Sequence, residues 1–362
     1  MGKGIALSAP SPGPANRRIM DLLIRHGVFV ERYKTSLVYK IMAMFNGQVE
    51  PDIVAILAKH AGRGTITESK VKAMAKELKA IGEVYSLMSS DVQRSLLSFA
   101  KSEAAWTRSI LEAAVPVKMD FALLSPAQIA AVAEKTYVRG KFVDDWFNNL
   151  FPSVVDRIST QINMGMVQGE SIDQITRRIA GTSATNYTDG ILSTERRNIE
   201  AVVRTSVGGI NNSVRSELYQ ANEDIIKGVQ VVATLDDRTC QICMALDGQE
   251  LEVDNPNIPP YHWNCRCVAV PVLKSWKELG INLQEAPEGT RATMDGQVPE
   301  STTYGTWLKR QDAPTQDEIL GPGKATLFRR DVVPIDRFID ARNRPLTLTE
   351  LEQLENKLKK AS

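Results

Sequence analysis

ATLDDRTCQICMALDGQELEVDNPNIPPYHWNCRCVAVPVL, running from Ala233 to Leu273, holds all four cysteines of the chain and one of its three histidines. Cys240 and Cys243 form a Cys-x-x-Cys pair, and His262, Cys265 and Cys267 return as His-x-x-Cys-x-Cys. Thiolate sulfur and imidazole nitrogen are the donors a tetrahedral zinc prefers, and a Cys-x-x-Cys turn brings two sulfurs onto one ion. Five candidates, Cys240, Cys243, His262, Cys265 and Cys267, compete for four places, and the spacing leaves open which four bind. Four protein donors leave no position for a water, so the expected cofactor is a structural Zn2+.

Other readings of the cysteines explain less. Two disulfides belong to an oxidising compartment, and neither a signal-peptide pattern nor an apolar run of eighteen residues stands out, which predicts use in a reducing cytoplasm. A redox pair accounts for Cys240 and Cys243 but not for the second group. A zinc deaminase needs glutamate two residues after the histidine, where this chain has Asn264, and the His-Glu-x-x-His of a metalloprotease is absent. His262 followed by Asn264 faintly suggests a nuclease acting on nucleic acid through a His262 base, but no second acid or base accompanies it. No catalytic residue is assigned, and the sequence reads as a non-enzyme.

Beyond the cysteines, further residues carry a family likeness. The run Asp237-Arg238-Thr239-Cys240, then Cys243, Leu246-Asp247-Gly248 and Pro259-Pro260-x-His262-x-Asn264-Cys265-Arg266-Cys267, resembles the Mu F-like phage head morphogenesis proteins. Upstream, Val167-x-Gly169-Glu170-Ser171-Ile172, Arg177-Arg178-Ile179 and Val203-Arg204-Thr205 fit the same pattern; downstream, Thr306–Gln311 and Glu318–Pro322 resemble the tail of many members. Trp263 departs from it, standing where proline is more common. The resemblance runs from about residue 155 to the C-terminus. It implies a structural minor head protein of a tailed phage, located in the virion near the portal vertex after assembly in the host cytoplasm. The implied partners are the portal protein, then scaffold or major capsid protein; packaged DNA is a weaker candidate, and no membrane is implied.

The balance of 44 basic against 43 acidic residues argues against a surface built to grip phosphate backbone. The fold class expected is mainly α: a helical body, one long helix, a small zinc-stapled β ribbon and an extended tail of short helices. Residues 1–15 read as a flexible Pro/Gly/Ser arm, 16–190 as a helical domain, 191–275 as long helix plus zinc module, and 276–362 as linker and tail.

Within the body, apolar spacing predicts a helix from Arg17 to Phe45 interrupted at Gly27, and others over 51–61, 65–81, 90–114, 125–140, 142–151, 154–167 and 171–180. Gly82, Pro116 and Pro152 read as stops, and Thr65/Glu68, Ser125/Gln128 and Ser171/Gln174 as helix starts. Thr194 to Lys227 has the longest helical pattern, with Gly208 and Gly209 marking a kink or a close backbone contact. Its Arg196, Arg197, Arg204 and Arg215 alternate with glutamates, which predicts a solvated face. Val229–Thr234 and Val268–Leu273 read as the strands of the ribbon, and Asp236, Asp237 and Asp247 as turn residues. His26 and His60 are expected to be structural. Residues 285–305 read as a linker, and the pieces beyond it, the last starting at Thr347/Glu350, as too small to fold without docking on the body or a neighbour.

Overall fold

The computed structural model describes residues 14–60, 67–115, 117–284 and 289–361. Most of the proposed arm therefore lies outside the described residues, as do Thr65 and Pro116. Helix α1 (Pro14–Met44) continues through a π turn at Phe45–Val49 into α2 (Glu50–His60). Gly27 does not interrupt it. A glycine costs a helix about 1 kcal/mol, and burial of Leu23, Leu37 and Ile41 in the same helix outweighs that. The run Ile19–His60 also contains an eighteen-residue window of mean hydropathy 1.2, long and apolar enough to cross a membrane by length and composition. In the fold α1 packs its apolar side on later helices.

Helix α3 (Glu68–Ala80) is capped by Thr67, whose hydroxyl accepts from Lys70 N. Helix α4 (Gly82–Ala114) is the longest at 33 residues and starts where the sequence reads a stop. A Cβ on Gly82 would lie 2.8 Å from the Phe151 ring, so the glycine serves close helix packing. Helix α5 (Pro126–Lys135) has the Ser125/Gln128 capping box, and it ends before a tight turn in which Arg139 and Gly140 both take positive φ. Helix α6 (Val143–Gln168) continues past Pro152, because Phe147, Leu150, Val154 and Ile158 bury one continuous stripe across it. It ends at Gly169 in the left-handed region, and α7 (Ile172–Ala180) follows from the Ser171/Gln174 box.

Helix α8 (Ile191–Gln220) is the wall on which the body is built: α1, α4, α5, α6 and α7 all pack on it. It stops seven residues short of the expected Lys227 because Asn222 ties the chain down, accepting from Ala122 N at 2.7 Å and donating to Leu218 O at 2.7 Å. The predicted solvated arginine face holds only in part. Arg215 is fully buried and donates twice to Glu103 Oε1, at 2.8 and 2.6 Å, while His26 contacts Glu103 Oε2 at 2.7 Å and stacks on Trp106. Glu195 is likewise buried, against Arg157 and Tyr85. His60 sits beside Glu77.

After α8 come β1 (Ile226–Val232), α9 (Gln241–Leu246), β2 (Glu250–Glu252) and β3 (Val268–Leu273). The strands form an antiparallel sheet in the order β2-β1-β3, so the expected ribbon gains a third strand and Gly228 lies within β1. The linker reading fails over 290–299, where β4 (Thr290–Thr293) and β5 (Gly296–Pro299) make a hairpin; residues 285–288 lie outside the described set. Helices α10 (Tyr304–Leu308), α11 (Ala313–Leu320), α12 (Pro322–Arg329) and α13 (Leu348–Ala361) then close a second core around Tyr304, Trp307, Phe328, Phe338 and Leu351. Leu235 and Met244 belong to this core, so the tail is docked on the cysteine module and is not extended.

Candidate metal centre

The first donor pair is set by the turn that leaves β1. Asp236 accepts from Arg238 N and Thr239 Oγ1, and Arg266 grips its carboxylate with two bonds of 2.6 and 2.8 Å. Cys240 then stands at the N-cap of α9 and Cys243 in its first turn, so the two side chains fall on one side of the turn. The second group hangs from the loop after β2. Asn264 takes a left-handed φ of 59° and donates its N–H to Thr205 Oγ1 on α8 at 2.9 Å, which turns the chain between His262 and Cys265. Cys267 is held from the same helix: Asn212 Nδ2 donates to Cys267 O at 3.3 Å, and Asn212 Oδ1 accepts from Ala269 N at 2.9 Å.

All five sequence-derived candidates come together. Cys240, Cys243 and His262 form one group able to hold a metal ion and Cys243, Cys265 and Cys267 another, with ligand atoms within 4.8 Å in each. Cys243 belongs to both. Its sulfur is 3.0 Å from His262 Nε2 and 3.7 Å from Cys265 Sγ, and all four cysteines are free thiols. The His262 ring is oriented from its other nitrogen, since Nδ1–H donating to Trp263 O at 2.7 Å turns Nε2 toward the sulfurs.

The electrostatics suit a cation. A hydrogen bond from Cys243 holds Cys240 down to about 4, and bonds from Cys243 and Cys267 hold Cys265 well below the ordinary thiol range. Cys243 is pushed the other way, first by its bond to Cys240. Burial opposes a charge on His262, but bonds to Cys240 and Cys265 raise it to about 10. The half-buried His262 ring thus sits beside two thiols that ionise readily, Cys240 and Cys265, and negative sulfur of this kind attracts a cation.

Several residues that shape the centre escape sequence reading. Trp263 packs edge-on against Trp146 at 4.8 Å, and Arg139 donates to Tyr261 O. Thr205 enters the sequence reading only through the Val203-Arg204-Thr205 resemblance, and Asn212 gives no sign there of the loop it holds. Asp247, read as a turn residue, is instead a buried clamp. It accepts from Ala233 N and Tyr304 N at 2.7 Å and from both Arg291 amino groups at 3.1 Å.

Residues 156–270 match the family model of the Phage Mu protein F like proteins. The matched stretch begins inside α6 and ends in β3, so it contains α7, α8 and all five donors. The resemblance carried by the cysteine motif therefore holds over this stretch, and it points to a role in phage head morphogenesis. The tail motifs at Thr306–Gln311 and Glu318–Pro322 fall beyond it. No curated protein and no solved structure matches the chain.

Proposed function

We propose that this chain is a structural, non-enzymatic minor head protein of a tailed phage, associated with the portal and acting in head assembly, DNA packaging or ejection. It assembles in the host cytoplasm and resides in the virion near the portal vertex, with the scaffold or major capsid protein as further partners. The observation that carries this reading is the family match over 156–270, which coincides with the helical wall and the five-donor module. In this reading 16–190 form a helical domain, 191–275 the long helix with its metal module, and 276–362 the docked C-terminal part.

The metal is a structural zinc held by four of Cys240, Cys243, His262, Cys265 and Cys267. Two zinc–sulfur bonds of about 2.3 Å at the tetrahedral angle separate their sulfurs by about 3.8 Å. The 3.7 Å between Cys243 and Cys265 supports that fit. When bound, the ion crosslinks α9 to the loop before β3.

Two measurements test the reading. Purified protein should carry one zinc per chain, and Cys243→Ser should lose it and loosen 226–273; metal-free protein with two disulfides by non-reducing mass spectrometry would overturn the zinc assignment. Purified heads should contain the protein at low copy and retain it with the portal after partial disruption. Its absence from heads would overturn the functional proposal.

A further inference from the structure

We propose that the outer edge of β2 is a docking site for an extended, basic segment of a partner protein, which adds to the sheet as a fourth strand. The inference rests on the sheet edge and the groove beside it, and stands whether or not the chain belongs to a phage head. In the order β2-β1-β3, β2 is an edge strand. Val231 N donates to Gln249 O, and two residues on, Leu251 faces Val229 in the next bonded position of the antiparallel alternation. Glu250 and Glu252 therefore turn their backbone N–H and C=O away from β1. The Glu252 carbonyl accepts from Asn255 N, while among the described residues no turn or loop bond reaches the backbone of Glu250. Unsatisfied strand groups of this kind are what an added strand pairs with.

A groove of about 1120 Å³ runs beside this strand. It is lined by Gly248 to Glu252, by Gly228 and Val272 of the neighbouring strands, and by Phe328, Ile335 and Ile339 from the C-terminal part of the chain. The groove is therefore able to receive alternate side chains of a strand laid along β2.

Charge selects the occupant. Asp340 is paired with Arg344 and Lys309 with Asp331. The exposed Glu250, Glu252 and Asp336 have no ion pair among the described residues, and Lys227 is the corresponding cation on the groove wall. Three carboxylates against one ammonium favour a basic segment. They also disfavour a second copy of this chain pairing through the same edge, because that would set glutamate against glutamate across the new ladder.

The probe is a fluorescein-labelled ten-residue peptide alternating lysine and valine, titrated with the full chain and read by anisotropy. Expected results are saturable binding, at least tenfold weaker binding of the glutamate–valine analogue, and at least tenfold weaker binding of a lysine–valine peptide N-methylated at every second residue. Glu250→Pro removes one outward N–H without touching the β1 ladder and should weaken binding at least tenfold. Should that variant unfold, the N-methylated peptide on the unmodified chain carries the same test. Equal binding of the N-methylated peptide would reduce the site to charge alone and overturn strand addition. Tighter binding of a peptide of residues 1–13 would make the occupant another copy of this chain and overturn the basic partner.

Discussion

Replacing Asp247 by alanine tests how the C-terminal core is joined to the cysteine module. The side chains of Asp247 and Arg291 are 0% and 4% exposed. Besides its two bonds to Asp247, Arg291 donates to Ala233 O at 2.6 Å and Thr302 O at 2.8 Å. Asp247→Ala strands a buried guanidinium, which costs about 3–5 kcal/mol. It also leaves Ala233 N and Tyr304 N without their acceptor, at about 1–3 kcal/mol each if no water replaces it. These terms overlap, so the expected loss is about 4–6 kcal/mol, a large part of the stability of an ordinary domain. Urea denaturation followed by circular dichroism measures the loss, and limited proteolysis reports whether 289–361 comes free before the helical body unfolds. The double variant Asp247→Asn/Arg291→Met removes both charges together and should recover at least 1.5 kcal/mol relative to the sum of the singles. A loss under about 1 kcal/mol for Asp247→Ala, or strictly additive singles, would refute the clamp.

Further outcomes follow from other positions in the fold. Arg215→Met should destabilise by about 3–5 kcal/mol by stranding Glu103 in the core. Burial opposes ionisation of Glu103, but Arg215 and His26 together hold its carboxyl below the usual range; the stability it contributes is present at neutral pH and is lost as pH falls through that depressed value. Acid titration of the urea midpoint should accordingly fall less steeply in Arg215→Met than in the unmodified chain. Gly27→Ala should raise stability by about 1 kcal/mol, since a Cβ there meets open space, whereas Gly190→Ala should lower it by more than 2 kcal/mol ~ the cost of forcing backbone apart, since its Cβ would lie 2.4 Å from Gly181 N; paired thermal melts decide both. Pro152→Ala restores a helix N–H and should stabilise α6 by about 1–3 kcal/mol, and an unchanged melting temperature would show that the stripe has adapted to the proline.

Local chemistry was legible in the sequence. The Ser125/Gln128 and Ser171/Gln174 capping boxes depend on residues three apart, and the five candidate donors, picked out by type and spacing, are brought together by the fold. Long-range compensation was not. Gly82 and Pro152 look like stops until Phe151 and the α6 stripe are placed against them. Arg215 alternates with glutamates as a solvated residue would, but its partner Glu103 lies 112 positions away. The stretch 285–305 has linker composition, and the contact that makes Arg291 a core residue reaches back 44 positions to Asp247. The paired glycines of α8 suggest a kink or a close backbone contact, and what the structure places against them is chiefly side chains. A Cβ on Gly209 would sit 3.2 Å from Val138 Cγ2, and one on Gly208 would look at Lys34 Nζ and Cys265 O at 3.6 and 3.7 Å.

The matched segment is packed against the rest of the chain on more than one side. Its helix α8 shows one side to α1 and α4, where Val203, Ile210 and Val214 are fully buried, and Thr205 and Asn212 to the loop carrying His262, Cys265 and Cys267. Of the residues that complete it, Glu103 comes from before the match and Arg291 from after it. An ion bound between α9 and the loop before β3 would therefore act on two linkages at once. Through Asn212 it fixes the register of the sheet on α8, and through α9 and Asp247 it fixes the seat of Tyr304 and the C-terminal core. The five donors sit where the helical body and the C-terminal core meet, so their loss should be felt in both, and a local crosslink of this kind is how a small site sets the relative placement of two much larger cores.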